Sequence, residues 1–131
     1  MTRTRLAIAF AAALFSTGAN AQSNCSYAAD QASLNRCADQ ALKAADATLN
    51  RTYKALMRQL AAPSQQRLKK AQRAWIAYKD AQCAFEAEPY LDGSIHPMVL
   101  ANCLEAVTTS QTDLLEKHLY CEEGDVSCVR Q

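Results

Sequence analysis

The chain has 131 residues, the length of one domain, with 14 basic and 13 acidic residues and a formal net charge of +1. This near balance excludes the basic footprint that nucleic-acid binding requires. It also argues against a polybasic contact with an acidic membrane surface.

The first 21 residues have the pattern of a secretory signal peptide. Arg3 and Arg5 precede an apolar run from Leu6 to Phe15, and small and polar residues then end in Ala-Asn-Ala at Ala21. The run is shorter than the roughly 20 residues of a spanning helix, so cleavage after Ala21 is favoured over a retained anchor. We therefore expect a periplasmic or secreted protein comprising residues 22–131, with 12 basic and 13 acidic residues and a net charge of about −1.

The residues before the first cysteine of the mature chain do not resemble a lipid-attachment signal. Gln22, Ser23 and Asn24 precede Cys25, whereas a lipoprotein signal has small apolar residues there. We expect no membrane anchor after cleavage.

Hydrophobic periodicity predicts three main helices in the mature chain. The first runs from about residue 31 to 61, with Asp30 as its N-cap. The second follows Pro63, with Ser64 as its cap, and extends to about Glu88. The third begins near Pro97, a residue favoured in the first turn of a helix.

Three aromatic residues recur on the second helix at helical spacing. Trp75, Tyr78 and Phe85 match the spacing of the stripe that begins at Leu68. We therefore expect all three to be core residues rather than a platform for a ligand.

No segment alternates β-branched and polar residues, so the sequence predicts no strands. Short links make consecutive helices antiparallel neighbours. The predicted fold is all-α: an antiparallel bundle of three main helices with a short N-terminal turn, stapled by disulfides. Its core is residues 25–119, and a short tail follows at 120–131.

All six cysteines lie in the mature chain, which in a small exported domain predicts three disulfides. Twelve residues of continuous helix would separate Cys25 from Cys37 by about 18 Å, too far for a bridge. They can pair if residues 25–29 are not helical and run back along the first helix.

The other four cysteines lie at the ends of the second and third helices and in the tail. Cys83 and Cys103 flank the interior loop, so a bridge between them would fasten its two stems. Cys121 and Cys128 bracket Gly124 and can close a small loop. We favour the pairs 25–37, 83–103 and 121–128, and crossed pairing among the first four cysteines remains the alternative.

Residues 87–97 form the one substantial interior loop and contain a candidate interface. A loop held by a bridge and two helices is pre-organised for binding. The acidic residues Glu86, Glu88 and Asp92 would suit a cationic partner. An ordinary helix connection is the alternative. The candidate interface residues are Tyr90, Leu91, Asp92, Gly93, Ser94, Ile95 and His96.

An ordered set of residues runs through the chain from Cys25 onward. It consists of C-x11-C from Cys25, D-x-x-L-N-x-x-Y from Asp46, L-x-x-A-Q-R-A-W-I-x-x-x-D-x-x-C from Leu68, a Gly93-Ser94 loop, and Cys103-Leu104. This combination spans about residues 25–119 and resembles the lysozyme inhibitor LprI-like N-terminal domain family.

The resemblance implies an exported, helical, cysteine-bridged domain and, as a partner, a lysozyme. A named member of the family is a lipoprotein, and this chain differs in lacking a lipid-attachment cysteine. Cys121 and Cys128 lie beyond the shared pattern. We interpret the following residues of the pattern as structural: Asn35, Asp46, Asn50, Tyr53, Gln72, Arg73, Trp75 and Asp80.

The polar members of the pattern predict a hydrogen-bonding network. Buried polar groups must be paired, so we interpret Asn35, Asp46, Asn50 and Gln72 as buried inter-helix partners that fix the helix register. Arg73 and Asp80, on consecutive helical turns, would contribute to the same network.

The sequence contains no motif that predicts catalysis, a cofactor or a metal site. His96 and His118 are separated and lack a partner motif, and the cysteines are better explained as disulfides. We expect a protein-binding module rather than an enzyme. Its function would be to inhibit lysozyme-type glycosidases by occlusion, and the alternative is a non-inhibitory structural or interaction protein of the cell envelope.

Overall fold

The computed structural model describes Cys25, residues 28–122 and residues 124–129. The predicted signal peptide and its cleavage site lie outside the described residues. No strand occurs in the described part of the chain, which confirms the all-α class. The three main helices are α1 (Gln31–Gln59), α2 (Ala62–Ala87) and α3 (His96–Leu119).

The start of α1 is fixed by a side-chain cap. The Asp30 carboxylate accepts a hydrogen bond from the backbone N–H of Ser33 at 2.8 Å and from its hydroxyl at 3.0 Å. This arrangement satisfies one of the amide donors that a helix N-terminus leaves without an intrahelical partner. The prediction of Asp30 as N-cap is confirmed.

The start of α2 differs from the prediction. The helix begins at Ala62, and Ala61 is its N-cap without a side-chain hydrogen bond. Pro63 therefore lies inside the first turn, where its fixed φ suits a helix and its missing N–H leaves no helical bond unmade. The prediction that Ser64 caps this helix is wrong.

A two-residue link, Leu60 and Ala61, joins α1 to α2. The side-chain amide of Gln65 donates to the carbonyls of Met57 at 2.8 Å and Leu60 at 2.9 Å. These bonds satisfy acceptors at the end of α1 and hold the beginning of α2 beside it.

Helix α3 is the central element of the bundle. Helix α1 packs along most of α3 and α2 packs on it less extensively, whereas α1 and α2 make few contacts with each other. Gln31 at the start of α1 approaches Met98 at the start of α3, so these two helices run in the same direction. Helix α2 runs the opposite way, because Cys83 near its end is bridged to Cys103 in the first half of α3.

The hydrophobic core lies where the second half of α1 meets the second half of α3. Its buried cluster consists of Leu49, Leu56, Leu60 and Leu115. Partly buried residues from all three helices pack against this cluster: Tyr53, Leu68, Trp75 and Leu119. The prediction of Trp75 as a core residue is therefore correct.

The same prediction is wrong for the other two aromatic residues of α2. The side chain of Tyr78 is 58% exposed and that of Phe85 is 70% exposed. Successive helical residues are about 100° apart, so Tyr78 and Phe85 lie about 60° and 80° from Trp75 around the helix. Because α2 packs mainly on α3, its buried stripe is too narrow to include them.

Three disulfides join the cysteines, and none of the described cysteines is free. The pairs are Cys25–Cys37, Cys83–Cys103 and Cys121–Cys128, with Cα–Cα distances of 5.7, 5.5 and 6.0 Å. These are the predicted pairs, and the crossed alternative is not found. The amide of Ala28 donates to the carbonyl of Cys25 at 3.2 Å.

No helix in the described part of the chain combines the length and the hydropathy of a membrane-spanning segment.

Candidate protein-binding site

The predicted interface residues form a short run of turns between α2 and α3, which we call the 90–96 segment. Helix α2 continues into a 3₁₀ turn at Glu88–Tyr90. The backbone then turns again, because the amide of Gly93 donates to the carbonyl of Tyr90 at 2.8 Å and that of His96 donates to Gly93 at 3.1 Å. The segment thus has its own backbone hydrogen bonds and is not an open loop.

Two tethers hold the 90–96 segment to the bundle. The Cys83–Cys103 bridge fastens the helices on either side of it, and Cys83 is fully buried. From α1, the side-chain amide of Asn35 donates to the backbone carbonyl of Ser94 at 3.0 Å. All three helices therefore determine the position of the segment.

The exposed part of the segment is residues 90–94. Leu91 is 63% exposed and Tyr90 is 43% exposed, and Asp92 and Ser94 are also exposed. Ile95 and His96 are only partly exposed, because α3 begins there. The surface available to a partner is therefore narrower than the seven residues predicted.

Gly93 lies at a close backbone approach, and its φ is not in the left-handed region. A Cβ atom at this position would lie 3.3 Å from the Tyr90 carbonyl oxygen and 3.6 Å from Cγ2 of Ile95. The first distance is tighter than an ordinary van der Waals contact, so any larger residue would push against the turn. The turn is consequently compact at its tip.

The surface around the segment is acidic. The exposed residues Glu86, Glu88 and Asp92 form no ion pair within the described residues. The Glu86 carboxylate accepts a hydrogen bond from Gln82 at 2.8 Å, which fixes its position on the last turns of α2. The exposed apolar side chains thus lie among uncompensated negative charges.

Sequence reasoning missed Phe85 as a surface residue. It lies near the end of α2, exposes most of its ring, and adds apolar area at this end of the bundle. Its side chain lies about 80° around α2 from Trp75, and its exposure depends on the width of the buried stripe, which is set by how α2 packs on α3.

A shallow groove between α1 and α3 adjoins the segment. It measures about 450 Å³ and includes Asn35 and Pro97, the two positions nearest the segment. Its apolar lining includes leucines from both helices, and its charged residues are Arg36 and Asp39. Its lining residues are Asn35, Arg36, Asp39, Leu42, Pro97, Leu100, Ala101 and Leu104.

The predicted polar residues do not form one continuous network in the described structure; two of them make separate hydrogen bonds. Asn35 contacts the 90–96 segment, and Gln72 on α2 accepts a hydrogen bond from Gln111 on α3 at 2.6 Å. Both are part-buried or exposed rather than deep in the core. Tyr53 and Trp75, the aromatic members of the family pattern, pack on the leucine cluster.

The remaining polar members of the pattern do not join these bonds. Asn50 and Arg73 are exposed and make no hydrogen bond within the described residues. Asp46 is partly buried without a described partner, and Asp80 lies 3.8 Å from Lys79. The structure therefore does not bring Asp46, Asn50, Arg73 and Asp80 together.

The described residues contain no group of His, Cys, Asp or Glu side chains arranged to hold a metal ion. His96 and His118 lie at opposite ends of α3.

Two carboxylates, neither in the 90–96 segment, have a lowered pKa. Hydrogen bonds from the backbone and hydroxyl of Ser33 lower the pKa of Asp30, and those from the hydroxyl and backbone of Ser127 lower the pKa of Asp125.

Three helices, three disulfides and a tethered, exposed segment define a disulfide-bridged helical protein with a surface suited to protein recognition. Residues 21–115 match the family model described as lysozyme inhibitor LprI, so the chain belongs to the LprI family. It is 38% identical over 122 residues to an uncharacterised protein of Rhizobium meliloti (strain 1021), covering 81% of this chain and 88% of that protein. No solved structure matches the chain.

Proposed function

We propose that this protein is an exported inhibitor of lysozyme-type glycosidases that binds the enzyme through the 90–96 segment. The observation that carries the proposal is a segment with exposed apolar side chains and two tethers, surrounded by acidic residues that form no ion pair within the described residues. The match to a family described as lysozyme inhibitors supports the choice of partner.

The tethers favour tight binding because they reduce the conformational entropy lost in a complex. A segment with internal hydrogen bonds, a bridge at its base and a contact to α1 is ordered before the partner arrives. Rigid insertion of such a segment into an enzyme cleft would exclude substrate without any chemistry from this chain.

The exposed side chains of Tyr90 and Leu91 are of the kind found at the centre of protein interfaces. Leu91 and Tyr90 can be desolvated on binding, and a few buried apolar or aromatic residues usually dominate the affinity of an interface. The surrounding carboxylates of Glu86, Glu88 and Asp92 would attract a basic enzyme and accelerate association.

The disulfides support an extracytoplasmic location. Structural disulfides persist in oxidising compartments, including the bacterial periplasm and the exterior of the cell. The predicted signal peptide at residues 1–21 leads to the same compartment, where a lysozyme reaches the cell wall.

The direct test is inhibition of cell-wall lysis by the protein, expressed with its own leader and purified from the periplasm. Lysis of a peptidoglycan suspension would be followed by turbidity with lysozymes of several structural classes. We expect inhibition of at least one class at micromolar concentration or below. Absence of inhibition in all classes would overturn the proposal.

A charged substitution at the tip tests the site itself. Leu91→Asp should raise the inhibition constant at least tenfold, because it places a carboxylate where an apolar contact is expected. Val126→Asp is the matched control, since Val126 is fully exposed on the distant tail. Equal inhibition by both variants would show that the enzyme binds elsewhere.

The alternative function, a non-inhibitory envelope protein, predicts a different result. Both variants would then be inactive against every lysozyme, as would the unmodified protein.

A further inference from the structure

A cavity lies at the end of the bundle opposite the 90–96 segment, next to the link between α1 and α2. It has a volume of about 440 Å³ and is lined by residues of all three helices and by Val129 of the tail. This volume falls within the range of about 300–1,000 Å³ that small-molecule sites occupy. We infer that this cavity binds a single-chain fatty carboxylate, with the hydrocarbon among its leucines and the carboxylate at Arg67.

The walls of the cavity are suited to a hydrocarbon chain. Protein interiors are close-packed, so an apolar gap of this size next to the core is unusual in a domain this small. It exists because α1 and α2 make few contacts with each other and both pack on α3. Five leucines form most of the wall: Leu56, Leu60, Leu68, Leu114 and Leu115.

The polar groups of the lining favour an anionic head group. Arg67 lines the cavity and forms no ion pair within the described residues. Ser64, also in the lining, carries a hydroxyl that can donate a hydrogen bond to the same head group. No acidic residue contributes to the lining. Charge complementarity therefore selects a carboxylate over a neutral or cationic amphiphile.

His118 and Gln111 complete the polar lining of the cavity. The Nδ1 atom of His118 is shielded from solvent, and therefore from the open space of the cavity, so it does not contact the head group. Gln111 donates a hydrogen bond to Gln72. Arg67 therefore provides the charge that binds the carboxylate.

The tail forms part of the cavity wall. The Cys121–Cys128 bridge closes a loop after α3 and returns the chain so that Val129 lies in the lining. Val129 itself is 42% exposed, so the cavity extends to the protein surface at the tail.

The experiment uses the delipidated protein with a dansyl-labelled undecanoate bound as a fluorescent probe. Displacement of the probe is measured with three competitors of equal chain length: dodecanoate, 1-dodecanol and dodecyltrimethylammonium. We expect dodecanoate to bind at micromolar concentration, below its micelle-forming range. The alcohol should bind at least tenfold more weakly, and the ammonium compound should not compete. Equal binding of all three, or no binding of dodecanoate, would overturn the inference.

Two pairs of variants locate the site. Arg67→Gln should weaken dodecanoate binding about tenfold and leave 1-dodecanol unchanged, because only the charge-assisted contact is lost. Arg73→Gln, exposed on the same helix outside the lining, should have no effect. Ala71→Phe fills the cavity and should abolish binding, whereas Ala74→Phe is the matched control.

These measurements are independent of lysozyme inhibition. Leu91→Asp should bind dodecanoate as the unmodified protein does, and Arg67→Gln should inhibit lysozyme normally. Circular dichroism of each variant establishes that it is folded. A folded Ala71→Phe protein that binds dodecanoate with unchanged affinity would exclude the cavity as the site.

Discussion

The side-chain amide of Asn35 reaches from α1 to the backbone carbonyl of Ser94, 59 residues later in the chain, at 3.0 Å. The amide is itself oriented, because Gln31 donates to the Asn35 carbonyl oxygen at 2.9 Å. Gln31 and Asn35 lie one helical turn apart on α1, so the helix presents both to the same neighbour. Together they connect the first turns of α1 to the segment proposed as the inhibitory surface.

Replacing Asn35 with alanine tests whether this bond orders the segment. We expect a loss of stability of roughly 0.5–1.5 kcal/mol, the usual net contribution of one hydrogen bond. Amide hydrogen exchange at Gly93 and His96 should accelerate, because their turns lose an external support. The inhibition constant should rise several-fold. Asn50→Ala, an exposed change on the same helix, is the control, and unchanged exchange in Asn35→Ala would contradict the tether.

Removing the Cys83–Cys103 bridge should be more damaging. The double substitution of both cysteines by alanine should lower the free energy of unfolding by about 2–4 kcal/mol, since the unfolded chain regains conformational freedom. The bridge spans 20 residues and encloses the 90–96 segment, so inhibition should also weaken.

The tail bridge provides the control for that experiment. Cys121–Cys128 spans only 7 residues, so its removal should cost less stability and leave lysozyme inhibition intact. Chemical denaturation followed by circular dichroism measures both losses. A larger loss for the tail pair would contradict the loop-closure argument.

The helices and the bridges could be predicted because their signals are local. Asp30 begins α1 as its side-chain chemistry predicts, and the spacing of Cys83 and Cys103 about a loop indicated their pairing. The exposure of Tyr78 and Phe85 could not be predicted in this way. It depends on how few contacts α1 makes with α2, which periodicity along a single helix does not report.

In the candidate site, too, local features could be predicted from the sequence and long-range contacts could not. The position of the 90–96 segment followed from Pro89, Gly93 and Pro97, which interrupt helical periodicity. The contact from Asn35 to Ser94 joins residues far apart in the chain, and a sequence pattern can show only that an amide is present. The leucine-lined cavity likewise arises from the divergence of two helices and not from any motif.

The cap at Asp30 gives a prediction about pH. Hydrogen bonds from Ser33 hold the pKa of Asp30 below its ordinary value of 3.8, so the charged form stabilises the folded state. This contribution is present above the unfolded pKa and is lost as the pH falls through the folded pKa. Asp30→Ala should therefore lower the melting temperature by a few degrees at pH 7.

The difference in melting temperature between the unmodified protein and Asp30→Ala should narrow as the pH falls below 3.8, because Asp30 becomes protonated in the folded unmodified protein. Asp46→Ala on the same helix is the control, because Asp46 has no described partner. If the difference in melting temperature stayed constant as the pH was lowered, protonated Asp30 would stabilise α1 as well as the charged form does, which would contradict the prediction.

Two threonines on α3 give opposite expectations for the same substitution. Thr108 is fully buried and its hydroxyl has no hydrogen-bond partner within the described residues. The Thr112 hydroxyl, also buried, donates to the carbonyl of Thr108 at 3.0 Å. Valine has nearly the shape of threonine, so each replacement changes the polar atom with little change in packing.

Thr108→Val should raise the free energy of unfolding by about 1 kcal/mol or more, because it removes the desolvation penalty of an unpaired hydroxyl. Thr112→Val should leave it unchanged or lower it by up to about 1 kcal/mol, since a hydrogen bond is lost along with the hydroxyl. The shift of the urea midpoint at constant m-value measures both effects. If both variants were destabilised to the same degree, the Thr108 hydroxyl would have to be hydrogen-bonded in solution, for example to an internal water molecule.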